Sequence, residues 1–310
     1  MKNRIAILFA SILFIAACGT PQYKPVLDAK TSAPTLLSAN FDWQGHRGCR
    51  GLLPENSIPA FLKALELGVT TLELDLAVSS DSQLIVSHEP WLNDEICLKS
   101  DGSPVKKEES ENLLIWKMTA AEVQQCDCGS RGHPRFKEQK PMRTVKPTLR
   151  QVVEAVRKQA DFFRKPMPLF NIEIKSQPNF DNKRTPSVAA FAKLVFDEIH
   201  ALNIAKQSCV QSFDPRSLEA IHQLDPKQTT ALLVENANGL KNNLKQLSFK
   251  PTIYSPYFLL IEKTTVDSCH NQNIKIIPWT VNDTAAMRQL ILIGVDGIIT
   301  DYPDRVLRRL

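Results

Sequence analysis

Two short segments of this chain alternate between aliphatic and polar residues, and half of the polar positions are acids. In Thr71-Leu72-Glu73-Leu74-Asp75-Leu76 the leucines share one face, and Glu73 and Asp75 share the other. An extended strand repeats every two residues, so this reads as a strand with one apolar and one charged face. Asn171-Ile172-Glu173-Ile174-Lys175 repeats the arrangement, with Glu173 and Lys175 opposite the isoleucines. Elsewhere the apolar spacing lengthens to three and four. Ile58, Phe61, Leu62 and Leu65 fall on one side of a helix predicted over 54–68. Pro54 suits its opening turn and Gly68 its stop. Leu149, Val152, Val153 and Val156 mark a second helix over 148–160. Val188, Phe191, Leu194, Val195 and Ile199 mark a third over 186–202, and 215–224 makes another.

Strands alternating with helices predict an α/β fold, and the acids narrow it. A strand with leucines toward helices and carboxylates on the opposite side suits a TIM (β/α)8 barrel whose interior opens into a polar mouth. Strands are predicted at 44–48, 71–77, 83–88, 169–175, 209–213, 230–234, 252–255, 275–281 and 296–300. That is one more than the barrel holds, so either the first strand or the segment at Ile253 is expected to be irregular. Residues 90–146 break the alternation. They are charged and punctuated by Gly and Pro, with a short helix start capped by Thr119 and supported by Glu122. They read as an insertion after strand three at the barrel mouth. There they either set substrate choice or form a cover without substrate contact.

The N-terminus changes the domain picture. Lys2 and Arg4 precede an apolar run, residues 5–17, that is too short to span a bilayer. Residues 1–17 read as a signal peptide, 18–40 as a flexible tether rich in Pro, Ser, Thr and Ala, and 41–310 as the barrel domain. A coil of that length has an r.m.s. span of about 25 Å. The formal charge of +5 includes Lys2 and Arg4, and what remains is small and dispersed, which argues against nucleic-acid binding. Without Cys18 the chain keeps Cys49, Cys97, Cys126, Cys128, Cys209 and Cys269. An even number in an exported chain permits disulfides, and Cys97 with Cys126 or Cys128 would staple the insertion. Cys126, Cys128 and His133 lack a fourth ligand and the spacing of a zinc site.

Isolated carboxylates are rarely buried, so three on inward faces call for a cation. Glu73, Asp75 and Glu173 make a hard, all-oxygen set suited to one divalent ion, Mg²⁺ or Ca²⁺. Three carboxylates, a divalent ion and a phosphodiester together carry excess negative charge. Arg47 and Lys175 are placed to offset it. His46 and His88 can serve as an acid–base pair, because the unperturbed imidazole titrates near neutral pH. The set is that of a metal-assisted phosphodiesterase.

The motifs carrying these residues resemble the glycerophosphodiester phosphodiesterase family, within the phosphatidylinositol-phospholipase-C-like TIM barrels. They are His46-Arg47-Gly48, Pro54-Glu55-Asn56-Ser57, Glu73-Leu74-Asp75, His88, Ile172-Glu173-Ile174-Lys175, Ser212-Phe213, Trp279-Thr280-Val281-Asn282 and the run from Gly294 to Asp301. The resemblance implies His46 and His88 as the catalytic pair, and Glu73, Asp75 and Glu173 as metal ligands. It places Arg47, Glu55 and Lys175 in support of phosphate or metal, with Glu55 pairing to Arg47, and gives Trp279 a wall of the alcohol pocket. Glu89 departs from the aspartate that usually follows the second histidine, and it stays outside the ligand set. Asp301 is expected to cap a turn. The implied reaction is hydrolysis of small-molecule glycerophosphodiesters to an alcohol and glycerol 3-phosphate. Its rivals are lysophospholipase D or sphingomyelinase-D-like action, and a surface protein that binds phosphodiesters without turnover. Ile15-Ala16-Ala17-Cys18 also resembles a bacterial lipoprotein cleavage box. That implies lipidation of Cys18, a membrane anchor and, with Gly19 next, an outer-membrane position facing the periplasm.

Overall fold

The structure, a computed structural model, describes residues 40–306. The predicted signal peptide, Cys18 and all of the tether except Asn40 lie outside them. The elements run β1 (Asp42–Gly45), α1 (Ile58–Leu67), β2 (Thr71–Val78), β3 (Leu84–Val86), α2 (Lys107–Ser110), α3 (Ala120–Val123), α4 (Leu149–Phe162), β4 (Leu169–Ile174) and α5 (Val188–Ala201). They continue β5 (Ser208–Ser212), α6 (Pro215–Leu224), β6 (Thr229–Val234), α7 (Leu240–Leu244), β7 (Ile253–Pro256), α8 (Lys263–His270), β8 (Lys275–Ile276), α9 (Thr284–Leu292) and β9 (Gly297–Thr300). The parallel strands neighbour one another in the order β8-β7-β6-β5-β4-β2-β1-β9. The ends of that path meet: the Asp296 N–H donates to the Ile276 carbonyl, and the Ile299 N–H to that of Pro278, both at 2.9 Å. The result is a nearly closed eight-stranded α/β barrel, as the acid-faced strands predict.

The surplus strand is a different one from that expected. Both β1 and β7 join the barrel. It is β3 that stays out, pairing antiparallel with β2 through Leu76 and Val86. A parallel barrel strand needs a crossover helix before its neighbour. Only a short turn separates β2 from β3, so β3 can only fold back. Everything between β2 and β4 is therefore one long crossover that contains the predicted insertion. Cys97 and Cys128 are bonded within it, and Cys126 is free and buried.

The helices begin and end where their caps dictate. Ser57 accepts the Ala60 N–H ahead of α1, and Gly68 ends that helix in the left-handed region at φ 92°. Thr148 and Gln151 form a reciprocal capping box for α4. Leu72, Leu74, Leu76, Ile172 and Ile174 point outward and are fully buried against Phe61, Val152, Val156 and Phe191. The opposite faces form a polar axis. Asn171 Nδ2 donates to Gln44 Oε1 at 2.7 Å and to Gln211 Oε1 at 2.9 Å, tying three strands together beneath the acids.

Candidate active site

At the carboxyl ends of β2 and β4, Glu73, Asp75 and Glu173 converge. One oxygen from each lies within 4.8 Å of the others, and all three residues are buried. The strands put them there: Asp75 and Glu173 are register partners, and Glu73 sits one inward position earlier on β2. Gln211 Nε2 donates to Glu73 Oε1 at 2.8 Å, and the Arg47 N–H to Glu73 Oε2 at 2.8 Å. Asn56 Nδ2 donates to Asp75 Oδ2 at 2.8 Å. Asp75 Oδ1 is buried with no hydrogen-bond partner; Lys175 Nζ stands 3.5 Å away.

The charges of this cluster do not balance internally. Burial, reinforced by Asp75 and Glu173, pushes Glu73 well above the usual carboxylate range. Burial likewise lifts Glu173 to about 7, against the opposing pull of Lys175 at 2.9 Å. Asp75 goes the other way: burial would raise it, but Arg47 and Lys175 hold it well below normal. The unpartnered Asp75 oxygen, beside two carboxylates that burial holds toward the protonated form, fits a bound divalent cation. The donors are all oxygen, so the set fits a hard divalent ion.

The turn after β1 brings His46 and Arg47 to the rim. Arg47 holds a left-handed φ of 50°, an unusual conformation for a non-glycine residue. Gly48, at φ 84°, lies so close to α1 that a Cβ would meet the Ala60 carbonyl carbon at 2.7 Å. Arg47 Nη1 donates to Glu55 Oε1 at 2.9 Å, the pairing expected from sequence, and its Nε lies 3.2 Å from Asp75. His46 Nε2 is 3.9 Å from Glu73, and its Nδ1 is 2.6 Å from Asp301 Oδ1. Asp301 also accepts from Arg50 Nε at 2.9 Å and from Asn282 Nδ2 at 2.7 Å. Burial would raise Asp301, but the His46 and Arg50 charges outweigh it and hold it far down. Burial lowers His46 to about 4 despite Asp301. The turn-capping reading of Asp301 is thus corrected: its carboxylate grips a catalytic candidate.

His88 follows β3, and its Nδ1 lies 2.7 Å from Glu89 Oε1. Burial, then Arg47 and Lys175, push its pKa down. Glu89 lies outside the acid triad and serves the imidazole instead. Lys146 from the crossover is buried nearby and is lowered chiefly by burial. A 240 Å³ pocket joins His46, His88, Glu73, Glu173, Lys175 and Trp279. Trp279 donates its indole N–H to the Ser255 carbonyl at 2.9 Å and meets Phe213 edge-on at 5.2 Å. Every predicted site residue in the described region reaches this cluster. Sequence reading missed Gln211, Arg50 and Lys146, and gave Asp301 the wrong role. Gln211 was findable as a polar residue on the inward face of β5. Nothing local marks Lys146.

The model of the Glycerophosphoryl diester phosphodiesterase family matches residues 46–305. A curated glycerophosphodiester phosphodiesterase of Caldanaerobacter subterraneus is 28% identical over 268 residues, covering 84% of this chain and 94% of that one. A solved Silicibacter pomeroyi chain assigned as a glycerophosphoryl diester phosphodiesterase superposes with a TM-score of 0.75 at 24% identity, over 87% of this chain and 93% of that one. An Oleispira antarctica phosphodiesterase, solved with the product sn-glycerol-3-phosphate, superposes at 0.66 and 19% identity over 85% and 94%. The two likenesses establish the fold.

Proposed function

This chain belongs to the glycerophosphoryl diester phosphodiesterase family, and from that premise we propose that it hydrolyses glycerophosphodiesters to an alcohol and glycerol 3-phosphate, using one divalent cation, Mg²⁺ or Ca²⁺. The observation that carries the reading is the triad of Glu73, Asp75 and Glu173 in one pocket with two imidazoles, each backed by a carboxylate. The ion held by the triad would supply Lewis-acid charge to a phosphoryl oxygen.

The rest follows from the chain's own groups. Arg47 and Lys175 face the phosphate with fixed positive charge. With Nδ1–H given to a carboxylate, each imidazole presents Nε2 to the pocket. One Nε2 takes a proton from the attacking oxygen as it bonds to phosphorus. The other, protonated, gives its proton to the alkoxide as the phosphorus–oxygen bond breaks. The attacking oxygen belongs to water, or to a neighbouring glycerol hydroxyl that first gives a cyclic phosphate. Trp279 walls the alcohol side. The Caldanaerobacter relative's name supports the glycerophosphodiester class, and so does the product bound in the Oleispira phosphodiesterase. Releasing glycerol 3-phosphate from glycerophosphocholine much faster than choline from lysophosphatidylcholine tests the substrate class. The reverse preference would reassign the enzyme to lipid substrates.

The lipoprotein reading is part of the proposal: Cys18 carries the lipid, residues 19–40 tether the barrel, and the protein sits on the outer membrane facing the periplasm. The box at residues 15–18 supports it. Fatty-acid labelling of the wild type, lost in Cys18→Ser, is the expected result; equal labelling of both would refute lipidation at that residue.

A further inference from the structure

The amino-terminal end of the barrel, opposite the pocket, carries a contrasting chemistry. From the last turn of α4 onward, residues 161–166 are all exposed. Phe162 is 80% exposed, Phe163 52% and Leu169 46%. The two phenyl rings meet edge-on, 5.0 Å apart, and leave apolar surface in water. Beside them opens a 450 Å³ cavity lined by Leu65, Val69, Phe163, Met167, Pro168 and Leu169. Lys165 lines the cavity, and Lys158 and Arg164 are exposed on the same stretch of chain. Two acids share the region: Asp161 is exposed beside Phe162, and Glu66 at the cavity is engaged by Lys63 at 3.0 Å, which leaves the cations in excess. Exposed aromatics ringed by cations are the pattern that settles into a lipid headgroup boundary: rings enter the acyl edge and cations meet anionic lipid.

The course of the chain adds an independent argument. β1 starts at this same end. Thr70 Oγ1 donates to Asp42 at 2.7 Å, and the Leu169 N–H donates to the Thr70 carbonyl at 3.0 Å. The residues that lead into β1 therefore join the barrel beside the patch. A lipid carried upstream of β1 would therefore have its point of attachment to the barrel at this end.

We propose that the face formed by Phe162, Phe163 and Leu169 docks on an anionic lipid surface and turns the catalytic pocket away from the membrane. The pocket then meets water-soluble diesters rather than lipids of its own bilayer. That consequence rests on the proposed reaction; the docking does not.

The test uses the whole chain in vesicles of phosphatidylglycerol and phosphatidylethanolamine with brominated acyl chains. Phe163→Trp places a reporter in the patch, and Leu260→Trp places one at the mouth end. Bromolipid is expected to quench the added emission of Phe163→Trp, with raised salt reducing the loss, and to leave that of Leu260→Trp unchanged. Absence of quenching at position 163, or stronger quenching at 260, would overturn the proposal. So would shielding of position 163 from aqueous acrylamide before lipid is added. Concentration-dependent shielding would assign the face to a second copy, and concentration-independent shielding to residues 18–39. Glycerol 3-phosphate release is measured on the same samples. Release without quenching strikes the docking alone; quenching without release strikes the reaction alone.

Discussion

His46 and His88 look into one pocket from walls built in different ways. His46 stands on the regular barrel, in the turn after β1, and its carboxylate partner Asp301 arrives after β9, 255 residues later. Asp301 is itself clamped by Arg50 and Asn282. His88 stands on the irregular crossover, and its partner is the next residue, Glu89. One oxygen of Glu89, Oε2, has no hydrogen-bond partner, and Lys146 supplies positive charge from farther along the same crossover. The side chain of His46 is 11% exposed and that of His88 31%. The same chemical unit, an imidazole backed by a carboxylate, is thus made once by closing the barrel and once by local sequence. The first support comes from the far end of the chain and is clamped twice over; the second is local, just after a strand that folds back onto β2.

The comparison breaks most sharply if the histidines are removed. His46→Ala and His88→Ala should each lower kcat by about 10²–10⁴-fold, the usual worth of a positioned acid or base, with circular dichroism unchanged. Near-normal turnover in either variant would contradict its role. Next come the partners. Asp301→Asn should cost on the order of 100-fold, and Glu89→Gln about tenfold, because a lost orienting partner is harder to replace in the closed wall. Equal losses would erase the distinction, and loss of fold in Asp301→Asn would show as a changed melting profile.

A smaller effect separates the walls themselves. Cys97→Ser should destabilise the crossover by about 2–4 kcal/mol. Amide exchange should rise within residues 90–146 and stay slow in β1 and β9. Uniform exchange across both regions would mean that the disulfide supports the whole barrel. The mildest effect is on acid stability of the metal-stripped protein. Burial holds His46 at about 4 instead of 6.5, so between those values the unfolded chain binds a proton that the folded chain refuses. The His46 contribution to stability should therefore fall as pH drops from 6.5 to about 4, while the raised Glu73 and Glu173 contribute in the opposite sense. The depressed Asp301 adds stability that is present above the unfolded carboxylate value of about 3.9 and lost on further acidification. Urea midpoints of the wild type compared with His46→Asn and Asp301→Asn isolate each contribution, and a wild-type minus His46→Asn difference that stays constant from pH 6.5 to about 4 would contradict the His46 shift.

The same contrast explains what the sequence disclosed. Period two on β2 and β4 put Glu73, Asp75 and Glu173 on one inward face, and parallel pairing delivered them to one place. Arg47 with Glu55, eight residues apart, was legible because one short segment carries both; that Cys97 staples the crossover was legible too, but not the choice of Cys128 over Cys126, which the fold makes. Asp301 behind His46 was not, because only barrel closure brings β9 beside β1. Strand β3 misled because its alternation is that of any half-buried strand. Periodicity says that a segment is extended, and the length of the connection decides whether it can lie parallel. Lys146 lies in an aperiodic segment, where no pattern predicts direction.

The central claim is that the three carboxylates hold a catalytic cation between the two histidines. The most direct test is glycerol 3-phosphate release from glycerophosphocholine by the purified protein, after EDTA treatment and again with Mg²⁺ or Ca²⁺ restored, beside Asp75→Asn. The account predicts release that EDTA abolishes, that one of the two ions restores, and that Asp75→Asn does not recover with either. Full release in EDTA, or full recovery of Asp75→Asn, would contradict it.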